Sequence, residues 1–428
     1  MYKNLNCHAA RVRESEPPFP CASMPMPALM PEPVAKRVVR RDDAPAAAAA
    51  GAAIDAIDAA ARSGTRRRGL LVAGFSLPLL ALGRAAWAQG AATPLKVGFV
   101  YVAPVTDAGW VRQHENARQA VQQTLGSAVQ TRFVENVAEG PDAERVIREL
   151  ASSGHGLIFT PSFGYMEPTL RVAREFPEVK FESITGYKTA TNVATANARY
   201  YEGRYLAGVT AGRMTKTNVA GYVAGFPIPE VLQGINAFTR GLRSVNPRAA
   251  VRLVWLNAWF DPPRERDAAV ALFNQDVDVI AFHTGSTAVM AAAQERGRMA
   301  VAYHSDMRRV APDAQIVAVT HEWGDYYTRR AREVIAGTWR TGNVWGGVRE
   351  GMIRVGDFGP RVPTAVAEEV LARQRDIAAG RLHPFRATRA VLDNEGREVI
   401  AAGQVLSDEQ ILTMNWLVEG VQGRISRS

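Results

Sequence analysis

Cysteine is nearly absent. The 428-residue chain holds two, Cys7 and Cys21, both close to its start, so the body is expected to fold without a disulfide or a cysteine-ligated metal. No HExxH and no carboxylate–histidine cluster at metal spacing occurs, and no metal is expected. The glycine-containing run TAGRMTKTNVAGYVAG forms no GxGxxG, and there is no GxxxxGK followed by Ser or Thr. A nucleotide cofactor or an ATPase site is therefore not expected. The formal charge of +9 is weighted towards the first 88 residues, and the remainder gives no argument for binding DNA or RNA. What the chain does have is length and 47% hydrophobic residues, enough for two or more cored domains.

The front of the chain is of a different character. Residues 1–64 include an Ala-rich stretch ending at a Gly break, which offers little surface to bury and reads as a low-complexity extension, as a misassigned start would produce. Residues 65–88, TRRRGLLVAGFSLPLLALGRAAWA, read as an export signal. Arg66, Arg67 and Arg68 precede an apolar core from Gly69 to Gly83, and Ala86-Trp87-Ala88 supplies a small-residue cleavage site. The core falls short of the ~20 residues of a spanning helix. Thr65-Arg66-Arg67 also resembles a twin-arginine signal, so Sec and twin-arginine export both stay open. No cysteine follows the core for lipid attachment, so a soluble periplasmic protein without a membrane anchor is expected.

From residue 95 the pattern alternates. Short apolar strands are expected at 95–102, 129–134, 156–160 and 179–184, separated by helices, with a helix at 199–214 closing the first series. A second series runs through strands 219–224, 250–256, 278–282, 299–303 and 315–320. Strand–helix alternation predicts mostly parallel sheets, and two series predict two lobes. Ligands meet such sheets at the carboxyl ends of their strands. The loops TDAGW, PSFGYM, GYK, GFPIPE, NAWFD, HTGST, HSDM and HEWGDYY sit there, rich in aromatics, hydroxyls, His and Asp, as a site sandwiching a planar solute would need.

The stretches VAPVTDAGWVRQHENAR, TPSFGYMEPTLRVAREFPEVKFE, ARYYEGRYLAGVTAGRMTKTNVAGYVAGFPIPEVLQGINAFTRGLRSVNP and LSDEQILTMNWLVEGVQG resemble the basic membrane protein family of ABC-importer substrate-binding proteins, in its subgroup without a lipid anchor. The resemblance spans residues 95–428. It implies an α/β type I periplasmic-binding-protein fold, with two doubly wound three-layer lobes joined by hinge crossings. It also implies a purine-like solute, base or nucleoside, and a membrane permease with its ATPase as partners. On this plan residues 89–216 and 321–345 form lobe 1, residues 217–320 and 346–360 form lobe 2, and residues 361–428 pack across both. A monomer suffices for one solute per chain.

The candidate ligand-binding residues follow from strand ends and from the resemblance. Asp107 and Trp110 come after the first strand, with His114 one helical turn beyond Trp110. Ser162 and Phe163 follow the third strand and Tyr187 the fourth. In the second lobe Phe226 stands in the proline turn, and Trp255, Asn257 and Trp259 alternate at strand period, with Trp259 the stacking partner. His283 precedes Gly285, where the subgroup often carries an acid. The resemblance implies a ligand-recognising acid at Asp306, a carboxylate able to accept two hydrogen bonds. Trp323 stands near an interlobe crossing, beside His321. No catalytic residue is assigned, since no nucleophile elbow or paired metal ligands accompany these groups. The function expected is solute capture for an ABC importer. Presentation of a ligand to a membrane sensor, and an exported nucleoside-processing enzyme, are the alternatives.

Overall fold

A computed structural model describes residues 93–425. The extension at 1–64, the export signal at 65–88, Cys7 and Cys21 lie outside the described residues. Strand β1 (Leu95–Val100) is followed by α1 (Trp110–Leu125), β2 (Val129–Val134), α2 (Pro141–Ser152), β3 (Leu157–Pro161), α3 (Met166–Glu175), β4 (Lys180–Ile184) and β5 (Val193–Ala198). The chain continues through α4 (Tyr200–Met214), β6 (Val219–Ala224), α5 (Pro229–Val245), β7 (Ala250–Trp255), α6 (Pro262–Phe273), β8 (Val279–His283), α7 (Ala288–Glu295), β9 (Met299–His304) and β10 (Gln315–His321). It ends with α8 (Gly324–Ile335), β11 (Asn343–Gly346), β12 (Ile353–Gly356), α9 (Thr364–Ala378), β13 (Val391–Leu392), β14 (Glu398–Ile400), α10 (Asp408–Leu412) and β15 (Val421–Gln422).

The first sheet runs β11-β5-β4-β3-β1-β2 and the second β12-β10-β9-β8-β6-β7-β15. Within these two sheets all pairs are parallel except β12 on β10. Strands such as LIFTP of β3 and VIAFH of β8 are buried along their whole length, as both faces of a parallel sheet must be when helices cover them. Phe99 stacks on Phe159 at 5.0 Å between ring centroids, and Tyr327 of α8 covers Phe159 at 4.0 Å. Each sheet opens in its middle and winds both ways. The chain reverses strand order between β1 and β3 in one lobe and between β6 and β8 in the other, and crevices for ligands form at such switch points.

Over the described residues the chain passes between lobes three times: from β5 into α4, from β10 into α8 and from β11 into β12. These crossings bond to one another. Arg199 N–H donates to the Gly346 carbonyl at 2.7 Å, Val348 N–H to Glu202 Oε2 at 2.7 Å, and Glu322 N–H to the Met352 carbonyl at 3.1 Å.

Two assignments made from the sequence are corrected. Helix α4, expected to close the first lobe, packs against α5, α9, β10 and β12 of the second. Glycines explain this contact: a Cβ at Gly208 would collide with the Phe238 carbonyl, and one at Gly241 with the Tyr205 carbonyl, so the helix backbones touch where side chains would hold them apart. The segment from 361 onward, expected across both lobes, lies chiefly on the second. There α9 packs on α4 and β12, α10 packs on α5, and β15 adds to the sheet edge at β7.

Candidate functional site

A cavity enclosing about 580 Å³, open solvent at its mouth included, lies between the two switch points. The first lobe contributes Val102, Trp110, Ser162, Phe163 and Thr185, among others; the second contributes Glu230, Trp259, Phe260, His283 and His304. Aromatic faces thus come from both lobes. Trp110 is fixed by donating its Nε1–H to the Pro161 carbonyl at 2.8 Å. Ser162 donates to Glu139 Oε1 at 2.5 Å, and Gly164 N–H donates to the same oxygen at 2.9 Å, which holds the loop carrying Phe163. Phe226 packs edge-on against Trp259, 4.9 Å between centroids, and so backs the wall without lining it.

Among the described residues, Glu230 is the carboxylate that lines the cavity, and no Lys or Arg lines it alongside. It sits in the first turn of α5, where the helix N-terminus favours an anion. Its Oε2 accepts from Asn197 Nδ2 of the first lobe at 3.0 Å, and its Oε1 stands 3.7 Å from His283 Nε2. Further contacts cross between the lobes. Gly109 N–H donates to Ser305 Oγ at 3.0 Å, and Gln113 Nε2 to the His304 carbonyl at 2.6 Å. Gly109 has φ +101°, and a Cβ there would strike the Gly285 carbonyl oxygen.

His114, His283, His304 and His321 are all buried. Burial, the largest influence on each, depresses their basicity. His114 and His304 fall well below the usual imidazole range, His283 falls below it, and His321 is pushed down to about 3. The cluster is therefore neutral at ordinary pH.

The cavity brings together five residues expected from the sequence: Trp110, Ser162, Phe163, Trp259 and His283. The others lie off its wall. Asp107 is exposed on a turn where Thr106 Oγ1 bonds the Ala108 carbonyl at 2.7 Å; the turn tucks Ala108 inward and leaves Asp107 to solvent. Asp306 is exposed as well, and its carboxylate accepts from Arg308 at 2.7 Å and from Gln315 at 2.8 Å. It braces the following turn. Tyr187 is 59% exposed. His114 lies fully buried beneath Trp110, sharing a hydrogen bond with Tyr327 Oη at 2.7 Å. Trp323 is buried at the second crossing, bonded to His321. Trp255 does not face the way Trp259 does: its Nε1–H bonds the Arg424 carbonyl at 2.8 Å, because Asn257 between them has φ +52° and breaks the strand alternation. Glu230, Phe260, Thr185 and His304 were not anticipated. The GFPIPE and HSDM loops named above do bracket Glu230 and His304.

Two doubly wound lobes, joined by three crossings around an aromatic cleft, define a solute-binding protein of the type I periplasmic class. The chain belongs to the Bmp family, ABC transporter substrate-binding protein PnrA-like, whose model matches residues 95–381. It is 48% identical over 356 residues to a purine-binding protein of Brucella abortus (strain 2308), covering 83% of this chain and 98% of that one. It is 36% identical over 332 residues to a Haloferax volcanii ABC-transporter protein whose name carries a glucose-binding assignment, covering 77% and 81%. An ABC transporter solute-binding protein from Conexibacter woesei DSM 14684 superposes with TM-score 0.56 at 22% identity, covering 68% of this chain and 98% of that one.

Proposed function

We propose that this protein captures a purine base or nucleoside between its lobes, in the periplasm, and delivers it to the permease and ATPase of an ABC importer. The observation that carries the reading is the pairing of aromatic faces from opposite lobes, Trp110 and Phe163 against Trp259 and Phe260, around one carboxylate without a lining cation. Flat rings gain most from two-sided aromatic contact. With no lysine or arginine beside it on the wall, Glu230 welcomes N–H donors and repels phosphate, which favours bases and nucleosides over nucleotides. The purine-binding relative from Brucella abortus supports the same ligand class. We read the protein as a binder that performs no chemistry. Solute settles on one lobe, and closure is favoured because the other lobe adds its own contacts. The export signal at 65–88 is the basis for placing it in the periplasm.

The glucose assignment of the haloarchaeal relative supplies a second reading, since sugars also stack on aromatics. Native mass spectrometry of residues 89–428, purified gently from periplasm, separates the two. The expected result is an adduct with the mass of a nucleobase or nucleoside, and a melting temperature raised by added purines. A hexose adduct, or stabilisation by glucose and not by purines, would replace the purine reading.

A further inference from the structure

Three buried side chains form a line from the second crossing to the cavity wall. Trp323 Nε1 lies 2.6 Å from His321 Nδ1, and His321 Nε2 lies 3.0 Å from His304 Nδ1. Indole N–H can only donate, so His321 Nδ1 must accept. A neutral imidazole with an accepting Nδ1 carries its proton on Nε2. His321 therefore donates to His304 Nδ1, and His304, neutral in turn, carries its own proton on Nε2. We propose that this relay locks His304 in the tautomer that presents an Nε2–H donor to the bound solute, where it meets a ring-nitrogen acceptor. His304 lines the cavity. It also has φ +70°, a left-handed conformation that a non-glycine residue keeps only where its surroundings enforce it. The surroundings are visible: its carbonyl is held by Gln113 across the cleft, Ser305 bonds Gly109, and Trp110 meets the His304 ring edge-on at 5.3 Å. Depressed basicity from burial keeps both imidazoles neutral, without which the logic of the relay would fail. Trp323 and His321 act as positioning residues, and His304 is the ligand contact.

The proposal supplies the donor that complements Glu230, the acceptor, and it rests on the purine reading only for the identity of the solute atom. Two measurements test it on the chain 89–428. Histidine side-chain nitrogen NMR should show pyridine-like Nδ1 and pyrrole-like Nε2 for His304 and His321 in the wild type. Trp323→Phe should turn His321 and His304 into mixtures of tautomers while the fold is retained. Calorimetry with purines and with their 1-, 3- and 7-deaza analogues should show at least a tenfold loss for the wild type when one particular ring nitrogen is replaced by C–H. His304→Phe should bind that analogue and its parent alike. A pyrrole-like Nδ1 on His304, or an unchanged deaza penalty in His304→Phe, overturns the proposal. Should Trp323→Phe fail to fold, His321→Gln gives the same reading, because a side-chain amide no longer imposes one orientation on His304. The relay signature without purine binding would overturn the purine reading and leave the tautomer assignment standing.

Discussion

Four of the seven histidines gather in the interior, and burying them neutral sets an acid limit on the fold. An unfolded histidine titrates near 6.5, whereas His321 is pushed down to about 3 and the other three also lie low. The unfolded chain therefore binds protons that the native chain refuses. The contribution to stability is complete above about pH 6.5 and is lost as the pH falls towards the native values, by about 1.4 kcal/mol per pH unit for each histidine involved. A denaturation midpoint that is flat from about pH 7 to 8 and drops steeply below about pH 6 is expected. A midpoint unchanged down to about pH 4.5 would mean that the four are already charged or solvated in the native state.

At the same scale, strand ends explain which site residues were legible. Trp110, Ser162, Phe163, Trp259 and His283 were found because ligands gather at the carboxyl ends of parallel strands. Asp306 was preferred to His304 because the resemblance implied a ligand-recognising acid there, while Trp255 was grouped with Trp259 because alternation assigns i and i+2 to one face. That rule assumes an extended backbone, and Thr185, Asn257 and His304 all have positive φ where strands meet the cleft. A left-handed residue that is not glycine leaves no mark in a hydrophobic pattern, so the turn it makes cannot be read from the sequence. Glu230 was hidden differently: a glutamate in a first helical turn is ordinary, and only the topology shows what it faces.

Among elements, the apolar strands and their helices were legible and β5 was not. Its sequence, VATANA, is short and weakly apolar, yet it is largely buried because β4 and β11 flank it. Helix α4 was recognised as a helix but assigned to the wrong lobe, since a helix buried nearly all round shows no stripe to say which side it packs on. Helix α8 is tied to the first sheet by one carboxylate. Glu182, 0% exposed, accepts from Arg330 Nε at 2.5 Å, Tyr326 Oη at 2.7 Å and Trp339 Nε1 at 2.7 Å. Arg330→Ala leaves that charge buried without its cation and should cost about 3–5 kcal/mol. Urea denaturation would register it as a lower midpoint, and a wild-type midpoint would show that Glu182 is protonated or reached by water.

For the whole molecule, the two lobes meet through backbone at Gly109 and Gly285. Gly109→Ala adds a methyl where the Gly285 carbonyl sits, and it strains a left-handed residue. Both glycines are in loops, so the lobes should fold while the cleft fails to shut. Purine affinity should fall at least tenfold, about 1.4 kcal/mol, and small-angle scattering with ligand present should show a wider molecule than wild type. Wild-type affinity and dimensions together would mean that closure does not need this contact.

The three crossings also determine when each lobe can be finished as the chain is made. Strand β5 ends the first run of the first lobe at Ala198, but its partner β11 is Asn343–Gly346, and helix α8 over the same sheet arrives only just before. The second sheet waits longer still, for β12 and then for β15 at Val421–Gln422. A chain emerging from the ribosome in order therefore carries two incomplete sheets until Gly346 and one until Gln422. Neither lobe can serve as a finished template for the other, and the lobe encoded first is closed only after most of the second has appeared.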